Sequence, residues 1–532
     1  MKRFVEFVWN TKWALSLSAG ILLGLSWPPF PFPFLVFPAF FLLFRLIDIC
    51  DTAREAAYWA YPGLIVWNII TTYWMVMATV AGGIAAILAN SAVMTVPIML
   101  MYLFQKKLHS HWLIAITQTA TWINYEYLHH LWDLAWPWLA LGNAWANVPS
   151  LVQYISATGY LGISLWIVLV TALAYQATKT QSRKPVYASV VVLLIFPLIS
   201  LVQFSSLNVE TDGSLETVVA QPNYDTATYP DFGGYSDAYE ALDVVLEISD
   251  SVRTDSTELV VWPESGIRTQ IYSARVNDRA ANEIKQLLKE KAAEWDLTLL
   301  SGVVYYEFFD LDNAPSLSRG TGSNPYLYYN AALGFYPDST IEVYRKHNLV
   351  PVVERIPFIH FLDAIDVFDW VSFADIQAFG KGYEPTSFKA DGVKTQALIC
   401  YDSVFPSWVR RFVQDGAGFI TIITNDGWWG NTSGHEQHFS YARLRAIEFR
   451  RWVVRSANNG ISGIIDPSGS IKVETKYWTK TAFRYDVPII YEQTLYSRFG
   501  DWLPYSMIVI TGWGILLLLF RKFRPEKAIS ST

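Results

Sequence analysis

Eight apolar runs, most of them close to the length that crosses a hydrocarbon core, constrain this chain more than any other feature. They fall near 13–27, 33–50, 57–79, 83–104, 111–130, 151–177, 186–204 and 503–520. About 20 apolar residues span a bilayer as a helix, and a backbone in lipid must satisfy its own hydrogen bonds. The runs therefore predict a bundle of seven transmembrane helices over 1–204 and an eighth, followed by a short tail, over 503–532. The first run has no obvious small-residue cleavage site and further runs follow it, so a span is expected there rather than a cleaved signal. Charged residues make up 16% of the chain, well below the roughly 25% of soluble domains.

Lys and Arg in the short connections set the orientation, because cytoplasmic loops carry them in excess. Lys2, Arg3 and Lys12 precede the first run, and Arg45 and Arg54 lie between the second and third. Lys106 and Lys107 follow the fourth, Lys179, Arg183 and Lys184 follow the sixth, and Arg521, Lys522 and Arg524 follow the eighth. The alternate loops, SWPPFPF, VAGG and LWDLAWPWLALGNAWANVPS, hold none. Both termini are expected in the cytoplasm and 205–502 outside. The Trp-rich loop after the fifth run is expected at the membrane interface, as an anchor or as a substrate contact.

Residues 205–502 change in character, with more charge, more Asp and Gly, and shorter apolar runs. The length suits one large globular domain. Apolar, β-branched stretches recur: LETVVAQ, TELVVWP, LTLLSGVVYY, NAALGFY, ALICY and FITIITN. Between them NDRAANEIKQLLKEKAAEW puts Ile284, Leu287, Leu288 and Ala292 on one helical face. SGHEQHFSYARLRAIEFRRW reads as a second helix, and IIDPSGSIKVE as a hairpin turning at Asp-Pro-Ser-Gly. Strands alternating with helices predict an α/β domain with its apolar strands buried in a sandwich. The net charge of -7 gives no electrostatic reason to expect a nucleic-acid partner.

Sites in α/β sheets form beyond the carboxyl ends of strands, and three strands here end in reactive groups. ELVVWPES delivers Glu264, ALICYDS delivers Cys400, and FITIITNDGWWG delivers Asn425 and Asp426. A fourth stretch, IEVYRKHNLVPVVERIP, places Lys346 and Glu354 around a strand end. The chain has two cysteines, Cys50 in an apolar run and Cys400 here, and no disulfide between them is expected. A free cysteine also packs well as a small hydrophobe. Glu and Lys in the company of a strand-end cysteine instead suit acyl transfer through a thioester. The carboxylate takes and returns the proton, and the ammonium favours the thiolate and holds the oxyanion. HEQH at 435–438 lacks the H-E-x-x-H spacing of a zinc site, and this chemistry needs neither metal nor cofactor.

Glu264, Lys346 and Cys400, in that order and each after a strand, resemble the catalytic set of the nitrilase (carbon–nitrogen hydrolase) superfamily. The ITNDGWWG loop, with Asn425 and Trp428, and the stretch RSANNGISGIIDPSG are similar too. The match extends over the membrane runs in one branch, the apolipoprotein N-acyltransferases. That resemblance implies an αββα catalytic domain between the last two spans, with Cys400 as nucleophile, Glu264 as general base and acid, and Lys346 at the oxyanion. Glu354, eight residues after the lysine, would hold that lysine, and Tyr401 matches the tyrosine after the cysteine. This chain departs from the family at Val353 and Arg355, where Gly and Tyr are usual, and in having no Trp within 222–234. It also has Asp402 where many members have Glu, a shorter acid that needs a closer partner.

The resemblance further implies ping-pong acylation of the diacylglyceryl-cysteine of an apolipoprotein, with a phospholipid such as phosphatidylethanolamine as donor. It places the chain as a monomer in a bacterial inner membrane, with the catalytic domain in the periplasm. A membrane-anchored amidase acting on a small amide would use the same three groups with water as acceptor. The stretch 356–379 is rich in Phe and Ile and is expected to be a lid dipping towards the bilayer or, equally, a buried helix and loop.

Overall fold

A computed structural model of the chain describes residues 2–225, 232–274, 277–315, 317–319, 324–365 and 378–522. The chain divides into two compact units. One comprises Met1–Val76, Gly83–Ser206 and Asp501–Thr532; the other comprises Met77–Gly82 and Leu207–Gly500.

The first unit is helical. Among the described helices, three are long and apolar enough to cross a bilayer: Val80–Lys107, Lys184–Ser206 and Trp502–Phe520. Lys12–Gly24 and Leu161–Ala177 are apolar but shorter. Hydropathy alone overreads continuity. The run 151–177 is interrupted at Gly159, whose φ is 69°, and its long helix begins only at Leu161. Run 57–79 is split between a helix from Ala53 to Thr72 and a short one, Met75–Ala78.

Two of these helices cross with almost nothing between them. A Cβ on Gly20 would lie 2.1 Å from the Gly63 carbonyl oxygen, and one on Gly63 would lie 2.1 Å from that of Ser16. Small residues permit such approach, and the Gly63 N–H donates to Ser16 Oγ at 2.8 Å. Aromatic rings fill much of the remaining interior. Trp27, Trp67, Trp122, Trp138 and Trp166 are buried, Phe40 lies edge-on to Trp122, and Trp145 edge-on to Trp166, both at 4.8 Å. In the Trp-rich loop, Trp138 and Trp145 are buried on the short turns Pro137–Leu139 and Leu141–Trp145, while Trp132 is 37% exposed.

The second unit is α/β. Its strands are β1 Ser214–Gln221, β2 Leu259–Val261, β3 Gln270–Tyr272, β4 Thr298–Phe308, β5 Tyr326–Phe335, β6 Ile341–Arg345, β7 Phe388–Ala390, β8 Val393–Thr395, β9 Leu398–Ile399, β10 Ile420–Thr424, β11 Val453–Ala457, β12 Gly463–Ile465, β13 Ile471–Glu474 and β14 Thr481–Pro488. Among the described residues one sheet runs β14-β1-β2-β4-β5-β6 with β3 also on β4, and a second runs β13-β12-β11-β10-β9. The central strands are parallel and mostly apolar. All five residues of β10 are buried between β9 and β11, as expected for strands covered on both faces. Helices Ala238–Asp250 and Arg279–Trp295 pack their apolar faces on the first sheet, burying Val245, Ile284, Leu288 and Ala292 with strand residues such as Val260 and Leu299. Helix Ser433–Phe449 lies on the second sheet. The sheets meet at β1 and β11, where Ser456 Oγ donates to the Ala220 carbonyl at 2.8 Å. The Asp-Pro-Ser-Gly turn joins β12 to β13, closed by the Gly469 N–H on the Asp466 carbonyl at 2.8 Å.

Candidate active site

Glu264, Lys346, Cys400 and Asn425 all follow strand ends, of β2, β6, β9 and β10, and the fold buries all four. The turn after β2 is sharp. The Pro263 carbonyl accepts from the Gly266 N–H at 2.9 Å and the Gly302 N–H at 3.1 Å, and a Cβ on Gly302 would come within 2.5 Å of Glu264 Cα. Only glycine lets β4 pass this close. The Glu264 carboxylate is clamped at both oxygens, with Asn330 Nδ2 donating to Oε1 at 2.7 Å and the Asn425 backbone N–H to Oε2 at 2.9 Å.

Lys346 is 1% exposed, with Nζ 2.8 Å from Glu354 Oε1 and 3.6 Å from Glu264 Oε1. The second oxygen of Glu354 takes the Val350 N–H at 2.7 Å. Burial opposes the ammonium, but the carboxylates of Glu354 and Glu264 outweigh it and push the Lys346 pKa well above the ordinary lysine value. The lysine is therefore a permanent cation. Burial raises the Glu264 pKa; Lys346 opposes the rise and Glu354 adds to it. A carboxylate poised in this way can both accept and return a proton.

Cys400 opens the short turn Cys400–Val404 with a left-handed backbone, φ 47°. Its thiol is pushed up, first by burial and then by Glu264, with Lys346 pulling the other way. It rests as a thiol and needs a base at the moment of attack.

The supporting residues separate into two groups. Asp402 is buried and accepts from Tyr344 Oη at 2.7 Å, from the Asn348 N–H at 2.7 Å and from Asn348 Nδ2 at 3.0 Å. The shorter acid thus has its closer partner. Tyr401 is buried edge-on to Phe405 at 5.0 Å. Trp428, by contrast, is 46% exposed on the turn Asp426–Trp429 and is not gathered with the buried groups. Part of 356–379 lies outside the described residues, including Phe368 and Phe373; the described flank carries exposed Val352, Val353, Phe358 and Phe361.

Sequence reading missed two groups. Asn330, on β5, donates one Nδ2 to both Glu264 Oε1 and Glu354 Oε1, at 2.7 and 2.8 Å. Its position in the run NAALGFY gave no sign of this. The other is the pair His438 and Arg455, which meet Asp426. Cys400, Asp426 and His438 each bring a possible ligand atom within 4.8 Å of the others, but Arg455 Nη2 already lies 2.7 Å from Asp426 Oδ2 and 3.1 Å from His438 Nδ1. The guanidinium already neutralises Asp426 and engages His438 Nδ1, so a second cation would meet a positive charge in contact with two of its three ligands, and this set does not fit a metal centre.

The carbon-nitrogen hydrolase profile matches residues 219–493, and that of the apolipoprotein N-acyltransferase N-terminal domain matches 19–173. An apolipoprotein N-acyltransferase of Chlorobaculum tepidum is 29% identical, with 96% of each chain covered, and one of Geobacter metallireducens is 26% identical over 93% of this chain and 92% of that one. The crystal structure of Saccharomyces cerevisiae Nit3, a member of branch 10 of the nitrilase superfamily, aligns at 15% identity with a TM-score of 0.38, covering 52% of this chain and 91% of that one. The chain belongs to the carbon–nitrogen hydrolase family, in its membrane branch of apolipoprotein N-acyltransferases.

Proposed function

We propose that this chain N-acylates the terminal diacylglyceryl-cysteine of apolipoproteins, with a phospholipid as acyl donor and a thioester on Cys400 as intermediate. The observation that carries the chemistry is the buried pairing of Lys346 with Glu264 and Glu354, within electrostatic reach of a thiol on a left-handed strand-end turn. Glu264 takes the proton from Cys400 Sγ as the sulfur attacks the ester carbonyl of the donor, phosphatidylethanolamine. The oxyanion forms beside the Lys346 ammonium, where a fixed cation in a dry site is most effective. The ester C–O bond breaks, Glu264 returns its proton to the departing alkoxide, and lysophospholipid leaves. The acceptor α-amine, with a pKa of about 7.7–8.0, then attacks the thioester. Glu264 takes the amine proton, the C–S bond breaks and the thiol re-forms. Glu354 holds Lys346, Asp402 and Tyr401 belong to the nucleophile's turn, and Asn425 orients Glu264.

Both substrates are lipids, and lifting their chains into water would cost ~0.8 kcal/mol per CH₂. A bilayer location follows: eight spans over 1–204 and 503–532, both termini cytoplasmic by the Lys and Arg pattern, 205–502 periplasmic, and a monomer in the bacterial inner membrane. Intact mass spectrometry of the chain incubated with phosphatidylethanolamine tests the reading. One fatty acyl group should be gained, and Cys400→Ala should gain none. A diacylated lipopeptide should discharge it as an N-acyl product. Discharge only to free fatty acid would point to a hydrolase, and no mass gain would reject the thioester.

A further inference from the structure

A left-handed backbone is unfavourable for a residue with a Cβ, so the conformation of Cys400, with φ 47°, must be held by its surroundings. Its carbonyl is held from two sides. Ser403 Oγ donates to it at 2.7 Å. His438 Nε2 lies 3.3 Å from the same oxygen and 3.1 Å from Ser403 Oγ. The ring is fixed at its other nitrogen as well, with Asp426 Oδ1 2.9 Å and Arg455 Nη2 3.1 Å from Nδ1. Asp426 is itself anchored by the Thr424 hydroxyl and by Arg455 Nη2, each at 2.7 Å. Cys400 follows β9, Asp426 follows β10, Arg455 belongs to β11 and His438 to helix Ser433–Phe449, so four elements converge on one carbonyl. The three outer side chains are at most 1% exposed.

We infer that His438 is a positioning residue for the nucleophile: its Nε2 holds the Cys400 carbonyl in the left-handed turn that presents the thiol to Glu264 and Lys346, while Asp426 and Arg455 hold the ring. The inference rests on Cys400 being the nucleophile of the proposed function. A carbonyl oxygen only accepts, so Nε2 carries a hydrogen at this contact. The Nε2–H tautomer supplies it, with Nδ1 accepting from Arg455; burial lowers the ring's pKa and so disfavours the imidazolium, although Asp426 pulls the other way. A glutamine amide reaching the same oxygen would supply that donor without titrating. The proton of the thiol still goes to Glu264.

The test measures the rate of acyl-enzyme formation by intact mass spectrometry on the full chain in detergent, with phosphatidylethanolamine as probe, for wild type, His438→Met and His438→Gln. A small displacement of a reacting atom costs on the order of 100-fold. H438M is expected to acylate about that much more slowly than wild type, and H438Q to recover to within about tenfold, the worth of one strained hydrogen bond. Melting temperatures report whether each variant is folded. Wild-type acylation by H438M overturns the inference. So does H438Q as slow as H438M at an unchanged melting temperature, because titration rather than donation would then matter. Should H438M not fold, Ser403→Ala removes the other donor to the same oxygen and is expected to slow acylation about tenfold; an unchanged rate overturns the inference. A wild-type chain that takes no acyl group on Cys400 overturns the proposed function and this inference together, whereas the other outcomes overturn the inference alone.

Discussion

Asp402 Oδ1 accepts from both nitrogens of Asn348, at 2.7 and 3.0 Å, and so ties the turn that opens at Cys400 to the segment that carries Lys346. Its second oxygen takes the Tyr344 hydroxyl at 2.7 Å, which in turn accepts from Trp408 Nε1 at 2.9 Å. His347 lies flat on Trp408, ring centres 3.7 Å apart. Residues 344–348 are thus registered against the nucleophile's turn by side chains on either side of the lysine.

Burial pushes Asp402 up to about 6 from 3.8, against the opposing pull of Lys346, Tyr344 and Asn348. In the window between these values the folded chain keeps a proton that the unfolded chain has released. The contribution of this group to stability therefore falls as pH rises from about 4 to 6. Asp402→Asn removes that decline, so the variant should gain stability relative to wild type between pH 4 and pH 7 in thermal melts. Acylation should nonetheless slow by about 10- to 100-fold, since one acceptor oxygen of the clamp becomes a donor. A variant whose melting temperature keeps the wild-type pH slope would show that Asp402 does not titrate in this window.

Asn330 favours the ionised form of Glu264, as do Lys346 and the Asn425 N–H, against burial and Glu354. Asn330→Ala removes one of these donors, so the Glu264 pKa should rise further. The acidic limb of the acylation pH profile should move to higher pH, with the plateau rate falling by less than the roughly 100-fold or more of a lost general base. An acidic limb that stays in place would mean that Glu264 does not control it.

Residues that end apolar strands were legible in the sequence. Glu264, Lys346 and Cys400 each follow a β-branched run, and the α/β alternation around them was visible in 205–502. Residues whose role depends on a distant partner were not. Asn330 meets Glu264 across 66 positions, and Arg455 meets Asp426 across 29, and neither spacing follows a helix or strand period. The ends of the membrane helices were not legible either, because hydropathy does not register where a helix stops. Gly159 breaks one run by its backbone angle, and the packing of the tryptophans at 138 and 145 inside the helical unit depends on partners that hydropathy does not show.

The segment after Lys346 exposes Val352, Val353, Phe358 and Phe361 within ten positions, and Val352 and Phe358 both have positive φ. β-Branched and bulky residues rarely adopt that backbone, and clustered exposed apolar groups mark contact surfaces. Val353→Ser with Phe361→Ser should slow loading from phosphatidylethanolamine in vesicles several-fold, since each CH₂ that no longer enters the lipid weakens the association by about 0.8 kcal/mol. Loading from a short-chain, water-soluble ester should be unchanged. Equal slowing with both donors would place the effect in the active site rather than at the lipid.

Glu354 provides the opposite test to Asn330. In wild type its carboxylate is the nearer partner of Lys346, at 2.8 Å against 3.6 Å for Glu264, and its charge raises the Glu264 pKa. Glu354→Gln keeps the shape and removes that charge. The ammonium is then left with Glu264 as its carboxylate partner and should close on it, and an opposite charge drawn nearer favours the ionised form. The Glu264 pKa should fall, moving the acidic limb of acylation to lower pH, the reverse of Asn330→Ala. The plateau should drop by about 100-fold or more, because a base pinned by a salt bridge is weaker and Lys346 is drawn from the oxyanion. The decisive measurement is the pair of pH profiles side by side. Shifts in the same direction, or a Glu354→Gln plateau equal to wild type, would show that Lys346 is not shared between the two carboxylates as its distances indicate.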